Sequence, residues 1–307
     1  MNQEKFEQIV NKLYIDKDPN SIKTDCGQAW MIGSSKSYPN AITIASLLCD
    51  ISGVGYGAVS IPDDVYSVVM SRVPLTDIYE PLKTKDDIFL VEENKSIIDK
   101  GMNRYTSILI GNGLKFCEEN YRFLSYIIEN YHGNLIIDAT GIALLAEYGT
   151  DVLMNRKTNS NIILTPHLGE AKKLLKSNIT TRDPIQYVPE TIDFCKTNNV
   201  FVLLKSVKSV LVSDSGKSSM SFYPPTPTLA HAGSGDGLAG YLTGVLAYGT
   251  KYFDLYDLIL YADQMVHFAA INAGDVLSSG YSNILSVPNE ILKIIKNCII
   301  KTQRSKK

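Results

Sequence analysis

Short apolar runs alternate along this chain with stretches whose apolar residues recur at helical spacing. Residues 29–33 (AWMIG) read as a strand, and Ile44, Leu47, Leu48 and Ile51 then follow with a helix period before 57–61 return to a strand pattern. Residues 106–110 (TSILI) precede Gly111-Asn112-Gly113 and a helical stretch from about 116 to 130. The runs 134–138, 161–165 and 200–204 are continuously apolar, which suits strands covered on both faces of a parallel sheet. Strands separated by helical segments imply βαβ units. Residues 209–213 and 218–223 lie too close for a helical crossover and read as an antiparallel hairpin, and after Gly237 the pattern is helical almost to the end. The expectation is an α/β fold, a mostly parallel central sheet with helices on both faces and a helical C-terminal third. Residues 1–22 form a helical extension whose Phe6, Ile9, Val10 and Leu13 pack outside the domain or between subunits. Residues 23–297 form a single domain, and 298–307 are a basic, frayed tail.

Composition narrows the function classes. The 307 residues are 45% hydrophobic and 20% charged, with a net charge of -2, which excludes a disordered chain and offers no positive field for nucleic acid. Cys26, Cys49, Cys117, Cys195 and Cys298 are scattered and form no Cys-x-x-Cys pair, so neither a disulfide frame nor a zinc site is expected, and a cytoplasmic location is. The start, MNQEKFEQIV, has no apolar signal core, and the apolar stretch 41–62 is broken by Asp50 and glycines. No secretory signal and no membrane span are expected.

Three glycine-rich segments could cradle a phosphate. Gly53 to Ala58 (GVGYGA) fits a loose dinucleotide fingerprint, but a helix precedes it and a strand follows. That order is wrong for holding a pyrophosphate at a helix N-terminus. Ile110 to Phe116 (IGNGLKF) lies at the carboxyl end of a strand, where ligands of open α/β sheets bind; it is either a turn or a ligand contact. Ala232-Gly233-Ser234-Gly235-Asp236-Gly237 opens a helical run, so its amides and the helix N-terminus suit an anion. Asp236 is there either as a helix cap or as a general base beside phosphates. No Walker A sequence occurs.

The polar candidates cluster at strand ends. His267, in an apolar helical run, reads as a packed core or interface residue. His167 follows NIILT in Thr165-Pro166-His167-Leu168-Gly169-Glu170, within the ligand-binding zone. Glu170 either opens the next helix or contacts ligand or magnesium. Asp138 closes NLIID, placed to contact a ligand or to hold magnesium through water. Lys205 closes VFVLL, where it either meets phosphate or snorkels. Gly111, Asp138, His167, Lys205 and Asp236 would fall at one sheet edge, which points to a nucleotide-dependent site. The sequence names no metal ligand set.

Read in order, IGSSKSYPNAITIA, ILIGNGL, LIIDATGI, LTPHLGEAKKLL, LLKSVKSVLV and AHAGSGDGLAGYLTGVLA resemble the ATP- or ADP-dependent NAD(P)H-hydrate dehydratases of the ribokinase-like superfamily, across residues 23–294. The resemblance implies a cytoplasmic lyase of cofactor repair, which returns the S epimer of NADHX or NADPHX to NADH or NADPH by phosphorylating the ring hydroxyl and eliminating phosphate. It implies Asp236 as the base and the amides of Gly233, Ser234 and Gly235 as an anion hole. Ala41, Gly113, His167 and Asp236 fall on hydrate-binding positions. Lys205, Ser206, Val207, Lys208 and Ser209, with Gly235, fall on adenylate-binding positions. ADP or ATP with magnesium bridging the phosphates, a homo-oligomer (a tetramer among the options) and a separate epimerase are further implications. The sequence departs from the family pattern at Asn40, Asn112, Thr140, Leu168, Ser206 and Ala232. Two other readings stand beside this one: a kinase of the same superfamily that stops at a phosphorylated vitamin precursor or sugar, and a catalytically weakened nucleotide-binding protein.

Overall fold

The structure, a computed structural model, describes residues 1–74, 77–221, 223, 229–276 and 284–305. Its strands are β1 (Gln28–Ile32), β2 (Tyr56–Ser60), β3 (Ile78–Tyr79), β4 (Thr84–Lys85), β5 (Ile88–Phe89), β6 (Ser107–Ile110), β7 (Asn134–Ile137), β8 (Asn161–Leu164), β9 (Phe201–Leu204), β10 (Val210–Val212) and β11 (Ser218–Met220). The α-helices are α1 (Gln3–Val10), α2 (Ala41–Asp50), α3 (Tyr66–Met70), α4 (Val91–Arg104), α5 (Glu118–Asn130), α6 (Thr140–Tyr148), α7 (Asp151–Asn155), α8 (Leu168–Leu174), α9 (Val188–Asn198), α10 (Ser234–Gly249), α11 (Leu255–Val276) and α12 (Val287–Ser305).

The main sheet has the order β11-β10-β9-β8-β7-β6-β1-β2-β3, and β4 pairs with β5 in a separate ribbon. Pairing is parallel from β9 across to β3 and antiparallel at β9-β10 and β10-β11. The sequence reading of a mostly parallel sheet ending in a hairpin matches this topology. After β1 the chain builds outward through β2 and β3, then returns to the other side of β1 and builds through β6 to β11. The β1/β6 junction is therefore the topological switch point, where open α/β sheets place their ligands.

Each strand's apolar run divides between two cores because successive side chains face opposite ways. Ala29, Met31, Leu109, Ile136, Ile163 and Leu203 point into one core with α2, α10 and α11. Trp30, Ile32, Ile108, Ile110, Leu135 and Ile137 point into the other, with α5 and α6. Both faces are covered, which is why the runs do not alternate.

The N-terminal helix differs from its expected placement. Phe6, Ile9, Val10 and Leu13 are buried within the first core, and the Phe6 ring lies 5.1 Å from that of Tyr261 and 5.8 Å from that of Phe268. Tyr14 continues the contact, its hydroxyl 2.8 Å from that of Tyr241. An amphipathic stripe announces a buried face but not its partner, and here α11 supplies it. Helix α12 also continues through Ser305, into residues expected to fray. Among the described residues, no helix is long and apolar enough to cross a membrane.

Candidate active site

The carboxyl ends of β6, β7, β8 and β9 share one edge of the sheet, and each delivers a polar group there. Asn112 follows β6, Asp138 follows β7, Thr165 and His167 follow β8, and Lys205 follows β9. Gly33, after β1, brings its loop against the Asn112 loop: the Ser34 amide donates to the Asn112 carbonyl at 2.8 Å. The two sides of the switch point are thus tied directly.

Asp236 enters from above this edge on the first turn of α10. The helix is opened by Gly233 at φ +89°, and no side chain among the described residues caps it. Its carboxylate is instead held from below: the Asn112 Nδ2 donates to Asp236 Oδ1 at 2.7 Å and to Asp138 Oδ2 at 2.9 Å. Of the two sequence readings of Asp236, the cap is not made. Among the described residues no side chain caps the first turn of α10, and its Ser234 amide donates to the His231 carbonyl at 3.3 Å; such a helix start suits an anion.

Asp138 is itself almost fully buried and crowded with donors. Lys205 Nζ lies 2.6 Å from its Oδ1 and Thr165 Oγ1 donates to the same atom at 2.8 Å. Burial lowers the Lys205 pKa, but Asp138, Glu170 and Asp236 outweigh that and hold it above the usual lysine range. Gly235 allows Lys205 to come up to α10, because a Cβ there would sit 3.1 Å from Lys205 Nζ. Burial pushes the Asp236 carboxyl up to about 6; Asn112 and Lys205 oppose the rise while Asp138 and Glu170 add to it. Desolvation is the first cause because removing water disfavours the charged form.

His167 caps α8 in a reciprocal box. Its Nδ1 accepts from the Gly169 amide at 2.9 Å and the Glu170 amide at 3.1 Å, while Glu170 Oε2 accepts from the His167 amide at 2.9 Å. Nδ1 is therefore the acceptor and the proton sits on Nε2. Partial burial, with Lys205 nearby, lowers the His167 pKa and keeps the ring neutral. Burial raises Glu170 to about 7. Glu170 opens its helix, one of the two roles read for it.

Two cavities meet across the α10 N-terminus. One of about 820 Å³ is lined by Ala41, Gly113, His167, Gly233 and Asp236 among others. This brings together every residue on the hydrate positions. The other, about 420 Å³, is lined by Lys205, Ser206, Val207, Ser209, Ser234 and Gly235. His167 lines both. Lys208 is not part of either lining, whereas His231 and His267 line the smaller cavity. His267 is indeed buried, stacked on Tyr223 at 4.1 Å. A separate groove of about 760 Å³ beside α4 and α5 carries Glu92, Glu93, Glu119 and Glu129 and holds none of the predicted site residues.

The donor set does not fit a protein-held magnesium ion. Among the described residues no three acidic, His or Cys groups are arranged around a common point, and both Asp138 oxygens are already engaged by Lys205, Thr165 and Asn112. Three contributors escaped the sequence reading. Asn112 reads in the sequence only as part of a segment that is either a turn or a ligand contact, and as a motif departure. Thr165 was only part of a motif. Ala139, beside Asp138, sits at φ +49°, a strained backbone of the kind that collects at functional sites. A chemistry-bearing side chain within a turn of glycines was the available signal for Asn112.

A family model for NAD(P)H-hydrate dehydratase matches residues 29–296. A bifunctional NAD(P)H-hydrate repair enzyme of Synechocystis is 30% identical over 249 residues, covering 81% of this chain and 45% of that protein. The chain spans about half the length of the first curated relatives it matches. A ribokinase-like superfamily protein of Enterococcus faecalis superposes with a TM-score of 0.73 at 20% identity, over 95% of this chain and 94% of that one. The ADP/ATP-dependent NAD(P)H-hydrate dehydratase of Bacillus subtilis, co-crystallized with ATP and Mg2+, superposes with a TM-score of 0.71 at 20% identity, over 95% and 97% of the two chains. These likenesses show a ribokinase-like fold.

Proposed function

We propose that this chain, which belongs to the NAD(P)H-hydrate dehydratase family, removes water from hydrated NADH or NADPH at the expense of ADP or ATP. The observation that carries the reading is the pair of cavities meeting at the first turn of α10, which no described side chain caps, with Asp236 lining the larger one. The hydrate would occupy the larger cavity, beside Ala41, Gly113 and His167. The nucleotide would occupy the smaller, beside Lys205, Ser206, Val207, Ser209 and Gly235, its terminal phosphate at the amides of Gly233, Ser234 and Gly235.

In this arrangement Asp236 takes the proton of the ring hydroxyl as that oxygen attacks the terminal phosphorus. The bond from phosphorus to the departing nucleotide oxygen breaks. The α10 amides stabilise charge on the transferring group. Hydroxide is a poor leaving group near neutral pH, whereas phosphate is a good one. The ring nitrogen's lone pair then expels phosphate, and loss of a neighbouring ring proton restores the reduced nicotinamide. Magnesium would enter with the nucleotide's phosphates rather than on a protein cage. We further propose a cytoplasmic location, a homo-oligomeric assembly and a separate epimerase that supplies the S epimer.

Purified protein incubated with hydrated NADH and either nucleotide should regain the absorbance of reduced nicotinamide and release inorganic phosphate in equal amounts. Because the Asp236 carboxyl is raised to about 6 and acts only when ionised, the rate should fall about tenfold per unit below pH 6 and level off above it. A stable phosphorylated product without recovered absorbance would mean a kinase instead. Nucleotide binding with no turnover of either hydrate would mean a weakened binding protein.

A further inference from the structure

We propose that Asn112 is a positioning residue for this reaction: its single side-chain nitrogen ties Asp236 to Asp138 and aims Asp236 at the larger cavity. The proposal rests on the reading of Asp236 as the base.

The geometry is specific. Asn112 is fully buried, and its Nδ2 serves carboxylates that come from residues 124 and 26 positions away, at 2.7 and 2.9 Å. A primary amide nitrogen carries two protons, one for each acid; a hydroxyl in its place could serve only one. The oxygen of the same amide is buried without a hydrogen-bond partner among the described residues. Leaving a buried acceptor unmade is costly, so the amide's orientation is set by its nitrogen. The backbone of Asn112 is fixed as well, through its carbonyl and the Ser34 amide. A continuous chain, Lys205–Asp138–Asn112–Asp236, therefore runs from the nucleotide cavity to the hydrate cavity.

The charges around Asp236 explain what the tie does. Asp138 and Glu170 favour its protonated form, and Lys205 opposes them. His167, neutral, faces Lys205 and Asp138 from α8. Without the Asn112 donor, Lys205 alone would oppose two acids and the loss of solvent, and Lys205 is already committed to Asp138.

The test is a carbon NMR titration of the Asp236 carboxyl in the unliganded protein, its signal assigned by Asp236→Asn. It is run on Asn112→Leu, which fills the same space, and on Asn112→Ala. The expected result is a midpoint raised by about one unit in both, tenfold in proton affinity, as for a lost charge-assisted hydrogen bond. The acid limb of kcat should move with it while KM for the nucleotide stays within about twofold. Asn112→Asp, a third acid in the chain, should raise the midpoint further. An unmoved midpoint in the folded Leu and Ala variants would overturn the proposal. A raised midpoint in a protein that turns over neither hydrate would leave the tie standing and remove the reaction from Asp236.

Discussion

At the scale of single residues, the site is governed by how few donors serve how many acids. Asp138 is buried to 1% of its side-chain exposure and Lys205 to 17%, so each charge depends on the other. Lys205→Met should strand Asp138 and cost about 3 to 5 kcal/mol in urea unfolding at neutral pH. Adding Asp138→Asn should recover most of the loss, since the uncompensated charge is then gone. A small effect of Lys205→Met would mean that Thr165 and Asn112 are enough to hold the Asp138 charge without the lysine. The sign with pH follows from the raised Lys205 pKa: its contribution is whole below its unfolded value and fades as pH climbs through the folded one. Asp236 shows where single-sequence reading stops. Its two roles, cap and base, look alike in a glycine-rich loop, and only the position of Gly233 at the cap and the reach of Asn112 separate them. That reach spans 124 residues of chain, and no local pattern encodes it.

At the scale of elements, α10 is held in place by the helix it crosses. Gly240 faces α2, and a Cβ at that position would collide with the Ala45 carbonyl; Gly244 similarly abuts Ser52. Glycines four residues apart let a helix approach its neighbour closely, and here α2 and the turn after it occupy that space. Gly240→Ala should lower stability by about 2 to 3 kcal/mol, the cost of overpacking against backbone, and should weaken nucleotide binding because the first turn of α10 shifts with it. Unchanged melting temperature and affinity would show that α2 and α10 can separate freely. The strands were the most readable elements, since continuous apolar runs require cover on both faces. The ribbon of β4 and β5 was not: each strand is two residues long, too short for any periodicity to register.

At the scale of the whole molecule, function depends on topology. Reversal of strand order at β1/β6 opens the crevice, parallel strands send their polar ends to one edge, and α10 closes that edge with its amides. The fold class and the convergence of Asp138, His167 and Lys205 could be inferred from strand order, because parallel strands share a carboxyl edge; Asp236 comes instead from the first turn of α10. The packing of α1 onto α11 could not, because an apolar stripe fits any apolar surface. The central claim is that one carboxylate at the meeting point of two cavities starts the reaction. Its most direct test is the turnover of hydrated NADH by Asp236→Asn with ADP or ATP, beside nucleotide affinity measured by calorimetry. The account predicts a rate loss of at least about a thousandfold, within the range for general-base removal, with affinity changed by no more than a few fold. Turnover near that of the unaltered protein would contradict it.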